Sequence, residues 1–137
     1  MVDNDGVVSG YSTTPQLKKL GIVDERRWDL VGASSNWSFE TEPDAATRAE
    51  TGPVDVLLAF FRTAADLDAQ VGALADRIRP AGALWVAWPR KAAGHSSDIT
   101  ENLIREVVLP RGLVDVKVAA IDEDWSGLKI VWRLTSR

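Results

Sequence analysis

Hydrophobic positions along the chain fall into dense runs separated by periodic stretches. Val54 to Phe61 (V-D-V-L-L-A-F-F) and Ala83 to Trp88 (A-L-W-V-A-W) show no alternation, which predicts strands covered on both faces. Asp55 is expected at the exposed start of the first. Leu67, Val71, Leu74 and Ile78 recur at spacings of four and three, predicting an amphipathic helix opened by Thr63 with Asp66. Ile99, Leu103, Ile104, Val107 and Val108 predict a second helix, stopped by Pro110 and Gly112. Leu113 to Ile121 alternates around Asp115 and Lys117, and Leu128 to Leu134 returns after Asp122–Gly127. So short a connection requires an antiparallel hairpin.

Upstream, Thr14, Pro15 and Gly21 bracket a short helix carrying Leu17 and Leu20, with Lys18 and Lys19 near its C-terminus. Trp28 to Gly32 is a short strand candidate and Trp37 to Glu40 a further one. Pro43 to Glu50 is long enough for one or two helical turns. Residues 1–9 are polar, acidic and aperiodic, and are expected to be frayed. Residues 10–137 are expected to form a single domain. The order of elements implies a three-layer α/β fold: a mostly parallel sheet, helices on both faces, and an antiparallel C-terminal hairpin.

The stretch Arg79–Asp98 joins a helix end, a turn at Gly82, a buried strand, a polar loop and an expected helix start. Asp98 with Glu101 fits an N-cap and its N3 carboxylate. If the strand is parallel, the loop lies at its carboxyl end, where open α/β sheets bind ligands. Arg90, Lys91, His95, Ser96, Ser97 and Asp98 therefore form a candidate site for an anion at a helix N-terminus. The plainer reading has the two cations as solvated loop charges and Asp98 as a cap alone.

Composition narrows the classes. The chain has 137 residues, a net charge of −4 and no cysteine. The charge argues against non-specific nucleic-acid binding. Disulfides, thiol catalysis and cysteine-ligated metals are excluded. No apolar run is long enough for a membrane span, and the N-terminus lacks a signal peptide's regions. A cytoplasmic location without a membrane partner is expected.

Chemistry-bearing motifs are sparse. His95 is the sole histidine, so a two- or three-histidine metal site cannot form, and no metal is expected. Asp122, Glu123 and Asp124 lack calcium-loop spacing. Neither Ser34-Ser35 nor Ser96-Ser97 sits in a nucleophile elbow. Gly32 stands where a dinucleotide-binding fold places its glycine-rich turn, but the companion glycines are missing.

Pro80, Gly82 and Leu84 match the "P-x-G-x-L" turn before a buried strand in the latter half of class I S-adenosylmethionine-dependent methyltransferases, whose sheet closes with an antiparallel hairpin. The chain resembles that fold. It more closely resembles an uncharacterised bacterial family catalogued as domain of unknown function 3052. The stretches concerned are G-Y-S-T-T-P-Q-L-K-K-L-G at Gly10, G-A-L-W-V-A-W-P-R-K at Gly82, S-D-I-T-E at Ser97, and Gly112–Lys129. That resemblance implies a degenerate, Rossmann-like methyltransferase fold and no mechanism. The glycine-rich cofactor loop and its following helix are missing, so no cofactor is expected.

Six tryptophans remain to be placed. Trp85 and Trp88 are expected in the core. Trp125, in the turn, and Trp132, on an expected edge strand, are candidates for a contact surface unless another segment folds over them. The functional expectation is a non-catalytic interaction or regulatory module, with a homodimer through the edge hairpin as one form. The alternative is a binder or enzyme acting on an anionic small molecule or nucleotide at the Arg90–Asp98 loop. An active methyltransferase ranks last.

Overall fold

The two apolar runs form the middle of a five-stranded sheet. A computed structural model describes residues 14–137; the expected frayed segment, residues 1–9, lies outside the described residues. Strands β1 (Trp28–Val31), β2 (Val56–Phe60), β3 (Ala83–Pro89), β4 (Leu113–Ala120) and β5 (Trp125–Trp132) are ordered β1-β2-β3-β5-β4. The first three run parallel, with Trp28 opposite Val56 and Val56 opposite Ala83. β5 runs antiparallel to both β3 and β4. β2 and residues 83–88 of β3 are buried throughout. Central strands need apolar side chains on both faces, and these sequences supply them.

Helix α1 (Gln16–Leu20) covers one face of the sheet. Leu20, Ile22, Trp28, Phe39, Leu58, Phe60, Trp85 and Ile121 meet there in one core. Helices α2 (Ala64–Asp76) and α3 (Glu101–Val108) cover the other face with Leu67, Val71, Ile104 and Val108. The three-layer arrangement thus follows from the two helical stripes and the two-sided strands. No helix among the described residues is long and apolar enough to cross a membrane.

Several sequence expectations need correction. Trp37–Glu40 forms no strand; it is part of an irregular strap whose Trp37 and Phe39 rings fold onto the sheet. The expected turns within residues 43–50 reduce to one 3-10 turn, Ala45–Thr47. α1 starts at Gln16 with Pro15 in the cap position, one residue later than expected. α3 starts at Glu101 with Thr100 as N-cap, its hydroxyl accepting from Leu103 N at 3.1 Å. Asp98 belongs elsewhere. Gly82 does not end a helix: α2 stops at Asp76, and a Cβ at Gly82 would lie 2.9 Å from the carbonyl oxygens of Val54, Asp55 and Ile78. Glycine is required there by close backbone approach.

The hairpin is also placed differently. β5 sits inside the sheet and β4 forms the edge. Trp132 is therefore only 5% exposed, with its Nε1 donating to Ala75 O at 2.8 Å and the Arg79 guanidinium stacked 3.6 Å over the ring. It cannot serve as an exposed contact residue. Trp125 begins β5 and is half-buried.

On β1, Asp29 is 3% exposed yet fully engaged. Its Oδ1 accepts from Arg48 Nε at 3.0 Å and from Leu30 N at 2.8 Å, and its Oδ2 from Arg77 Nη1 at 2.6 Å. Arg77 also donates to the carbonyls of Gly52 and Ala49, at 2.8 Å each. A buried carboxylate is tolerated only when paired and hydrogen-bonded in this way. The network clamps residues 48–52 against β1 and the end of α2. A backbone bridge between Trp28 and Arg48 continues the clamp at the sheet edge.

Candidate functional site

The carboxyl ends of β2 and β3 open into a cavity of about 570 Å³ lined by Arg62, Pro89, Gly94, His95, Ser96, Asp124 and Trp125. Its walls come from three places. Arg62 is exposed two residues beyond β2. The loop after β3 makes a 3-10 turn at Lys91–Ala93 and reverses at Gly94, φ 87°. The turn between β4 and β5 supplies Asp124 and Trp125. That turn is built by Asp122, whose Oδ1 accepts from Asp124 N at 2.8 Å and Trp125 N at 2.9 Å. Its Oδ2 accepts from Trp37 Nε1 at 2.9 Å, tying the strap to the same corner.

Trp125, the aromatic ring of the lining, ends a series of ring contacts that runs back under the strap. Trp28, Phe39, Trp37, Phe60 and Trp125 meet edge to face in succession, with ring centroids 4.8–5.6 Å apart. The Arg62 guanidinium lies 5.1 Å from the Trp125 centroid and closes the series. A cation held over an aromatic face keeps its charge while its stem is anchored. Across the cavity, His95 Nε2 is 2.9 Å from Asp124 Oδ1. Among the described residues no hydroxyl hydrogen-bonds the His95 ring, so no serine-histidine pair is assembled.

The six loop residues singled out from the sequence divide into three groups. His95 and Ser96 line the cavity. Arg90 and Lys91 instead line a neighbouring hollow of about 500 Å³ beside Ile99, Thr100, Glu101 and Arg105. Arg90 also braces the hairpin turn, donating from Nη1 to Glu123 O at 3.1 Å and from its backbone N to Asp124 O at 2.9 Å. Ser97 and Asp98 are structural. The Ser97 hydroxyl donates to Arg62 O at 3.0 Å and accepts from Ile99 N at 3.1 Å. Asp98 Oδ1 accepts from Ala64 N at 2.8 Å, at the start of α2.

That last bond corrects the expected cap: Asp98 stands at the start of α2, not of α3. Thr63 Oγ1 accepts from Asp66 N at 3.1 Å, so side chains cap α2 at two positions. Asp98 brings the negative charge that a bound anion would bring to the helix start. No described group of three or more histidine, aspartate or glutamate side chains is arranged to hold a metal ion.

Arg62, Asp124 and the cavity-facing role of Trp125 were missed from the sequence. Arg62 carried a usable signal, because it directly follows a buried strand. The strand-end argument applied to Ala83–Trp88 applies equally to Val54–Phe61.

The other strand end, after β1, is filled. Gly32 turns at φ 79°, and a Cβ there would meet Phe60 O at 2.6 Å. The chain then reverses, with Trp37 N donating to Ser34 O at 3.0 Å, and continues as the strap. No helix follows β1 within residues 32–44. The Trp37 ring sits 4.8 Å from Phe60. These residues do not fit the glycine-rich turn and helix N-terminus that a methionine-nucleoside cofactor requires.

No family model matches the sequence, and no curated protein matches it. The resemblance to domain of unknown function 3052 thus stands without a family match. Among solved structures, the chain is similar to one in the crystal structure of a fibrillarin/Nop5p complex. The TM-score is 0.50 and the identity 11%, covering 93% of this chain and 87% of that chain. Identity so low speaks to the fold alone. The protein has an α/β fold with a mixed central sheet and a C-terminal β4–β5 hairpin, structurally similar to the methyltransferase-like, Rossmann-like fold.

Proposed function

We propose that this domain binds an anionic small molecule of nucleotide size, without catalysing a reaction on it, in the cavity at the carboxyl ends of β2 and β3. One observation carries the reading: Arg62, His95 and Ser96 converge there on a half-buried aromatic ring, Trp125, in a space of about 570 Å³. Small-molecule pockets fall at this position in open α/β sheets and in this size range. Arg62 supplies the charge for a phosphate or carboxylate, and Trp125 and Pro89 supply apolar surface for a planar ring. The residues that follow β1 do not support S-adenosylmethionine chemistry, so no methyl transfer is proposed. Kinship with domain of unknown function 3052 belongs to the same proposal, on the strength of the matching stretches alone.

Isothermal titration calorimetry with adenosine mono-, di- and triphosphate and pyrophosphate tests the reading. Binding by at least one of them should be lost in Arg62→Glu and kept in Lys91→Glu, which faces the neighbouring hollow. Absence of heat across the panel, or undiminished binding by Arg62→Glu, would remove this assignment.

A further inference from the structure

The far edge of the sheet carries a different feature. β4 is an edge strand, and no described residue outside β5 hydrogen-bonds the backbone of residues 114–119. Val116 and Val118 are 52% and 51% exposed on it. Between them, Lys117 stands directly opposite Lys129 of β5, which in turn stands opposite Trp85 of β3. Lys117 Nζ lies 5.9 Å from the Trp85 ring centroid, so the row Trp85-Lys129-Lys117 points to one face. Arg26 and Lys19 border the same row, with the Glu40 carboxylate near Lys19. Lys19 Nζ donates to Ala120 O at 2.8 Å. Among the described residues, Arg26, Lys117 and Lys129 form no salt bridge with a carboxylate. Burial, then Lys117 and Arg26, lower the Lys129 ammonium from its usual range.

Like charges directly opposite one another on neighbouring strands destabilise a sheet. A lysine and a bulge on an edge strand do keep other chains away, and the register shifts between Asp115 and Lys117. That purpose needs one charge at the rim. It does not account for a second lysine one strand inward and an arginine beside it, in a chain whose net charge is −4.

We propose that the β4 edge is a docking site for an extended acidic segment of a partner protein. The segment adds to the sheet as a sixth strand, places its carboxylates beside Lys117, Lys129 and Arg26, and lays its alternate apolar side chains against Val118. Strand addition supplies affinity through the backbone and specificity through alternate side chains. A strand's side chains alternate faces, and this edge presents cations on one face and valine on the other. A free small anion would satisfy the cations and leave the backbone and the valines exposed. A second copy is disfavoured, because two-fold pairing of β4 with β4 around Lys117 would set lysine against lysine.

Fluorescence anisotropy with a short fluorescein-labelled peptide of alternating glutamate and valine tests the proposal, with a lysine-valine peptide as control. The acidic peptide should bind saturably and the basic one should not. Lys117→Glu should weaken binding by at least about tenfold. Arg26→Glu, an exposed change outside the sheet, should weaken it on its own and so covers the case in which a β4 variant fails to fold. Equal binding of the two peptides, or unchanged binding by Arg26→Glu and Lys117→Glu, would overturn the proposal. So would full displacement by tripolyphosphate, which marks a plain anion site, or a concentration-dependent dimer occupying the edge.

Discussion

Asp29→Ala should be among the most damaging single changes in this domain. The carboxylate is 3% exposed and holds three donors: Arg48 Nε, Arg77 Nη1 and Leu30 N. Its removal leaves Arg77, whose side chain is 17% exposed, with two carbonyl partners and no counter-charge. Breaking a buried pair from one side costs about 3–5 kcal/mol, because the orphaned charge stays desolvated. At this chain length each kcal/mol moves the thermal midpoint by about 4 °C, so the fall should be roughly 10–20 °C. Circular dichroism melts and urea titrations would read it. Arg77→Met removes the other charge, and the double variant should cost clearly less than the two single costs added, with a coupling of about 0.5–3 kcal/mol. A loss under about 1 kcal/mol for Asp29→Ala, or strictly additive costs, would refute the argument that this network clamps residues 48–52 against β1 and α2.

Three further outcomes follow from the same geometry. Asp98→Ala should cost about 1 kcal/mol by uncapping α2 while leaving nucleotide affinity unchanged, read by urea titration and calorimetry. Gly82→Ala should cost about 1–3 kcal/mol in a thermal melt, since the new methyl meets three carbonyl oxygens at 2.9 Å. The Arg105 guanidinium, through its hydrogen bond, holds the Asp115 carboxyl below its usual range. A depressed folded-state value means that this pair's contribution is present above the ordinary carboxylate range and disappears as pH falls through the lowered one. Stability of Asp115→Asn should therefore converge on that of the parent in strong acid, measured as urea midpoints against pH.

Much of the fold was legible because its strongest signals are local. β2 and β3 are buried on both faces, and a strand so placed must be apolar at every position. The stripe of α2 and its cap at Thr63 lie within a few residues of the element they define; the cap of α3 is Thr100 rather than the expected Asp98. What escaped depends on distant partners. Asp98 reads as a local cap until the fold brings Ala64 to it across 34 residues of sequence. A hairpin pattern fixes that β4 and β5 are antiparallel but not which of them meets β3, and so Trp132 was expected outside. The strap residues Trp37 and Phe39 have strand-like composition, yet Trp37 is held by Phe60 and Asp122, far along the chain, and Phe39 by Trp28 and Trp37.

The most direct test of the ligand-binding account is a two-dimensional NMR titration of the isotopically labelled protein with adenosine triphosphate. The account predicts saturable shifts concentrated on the amides of Arg62, Gly94, His95 and Ser96 and on the Trp125 indole, with the β4 edge undisturbed. Shifts confined to the hollow around Lys91 and Arg105, shifts confined to Lys117 and Lys129, or a spectrum that does not change would contradict it.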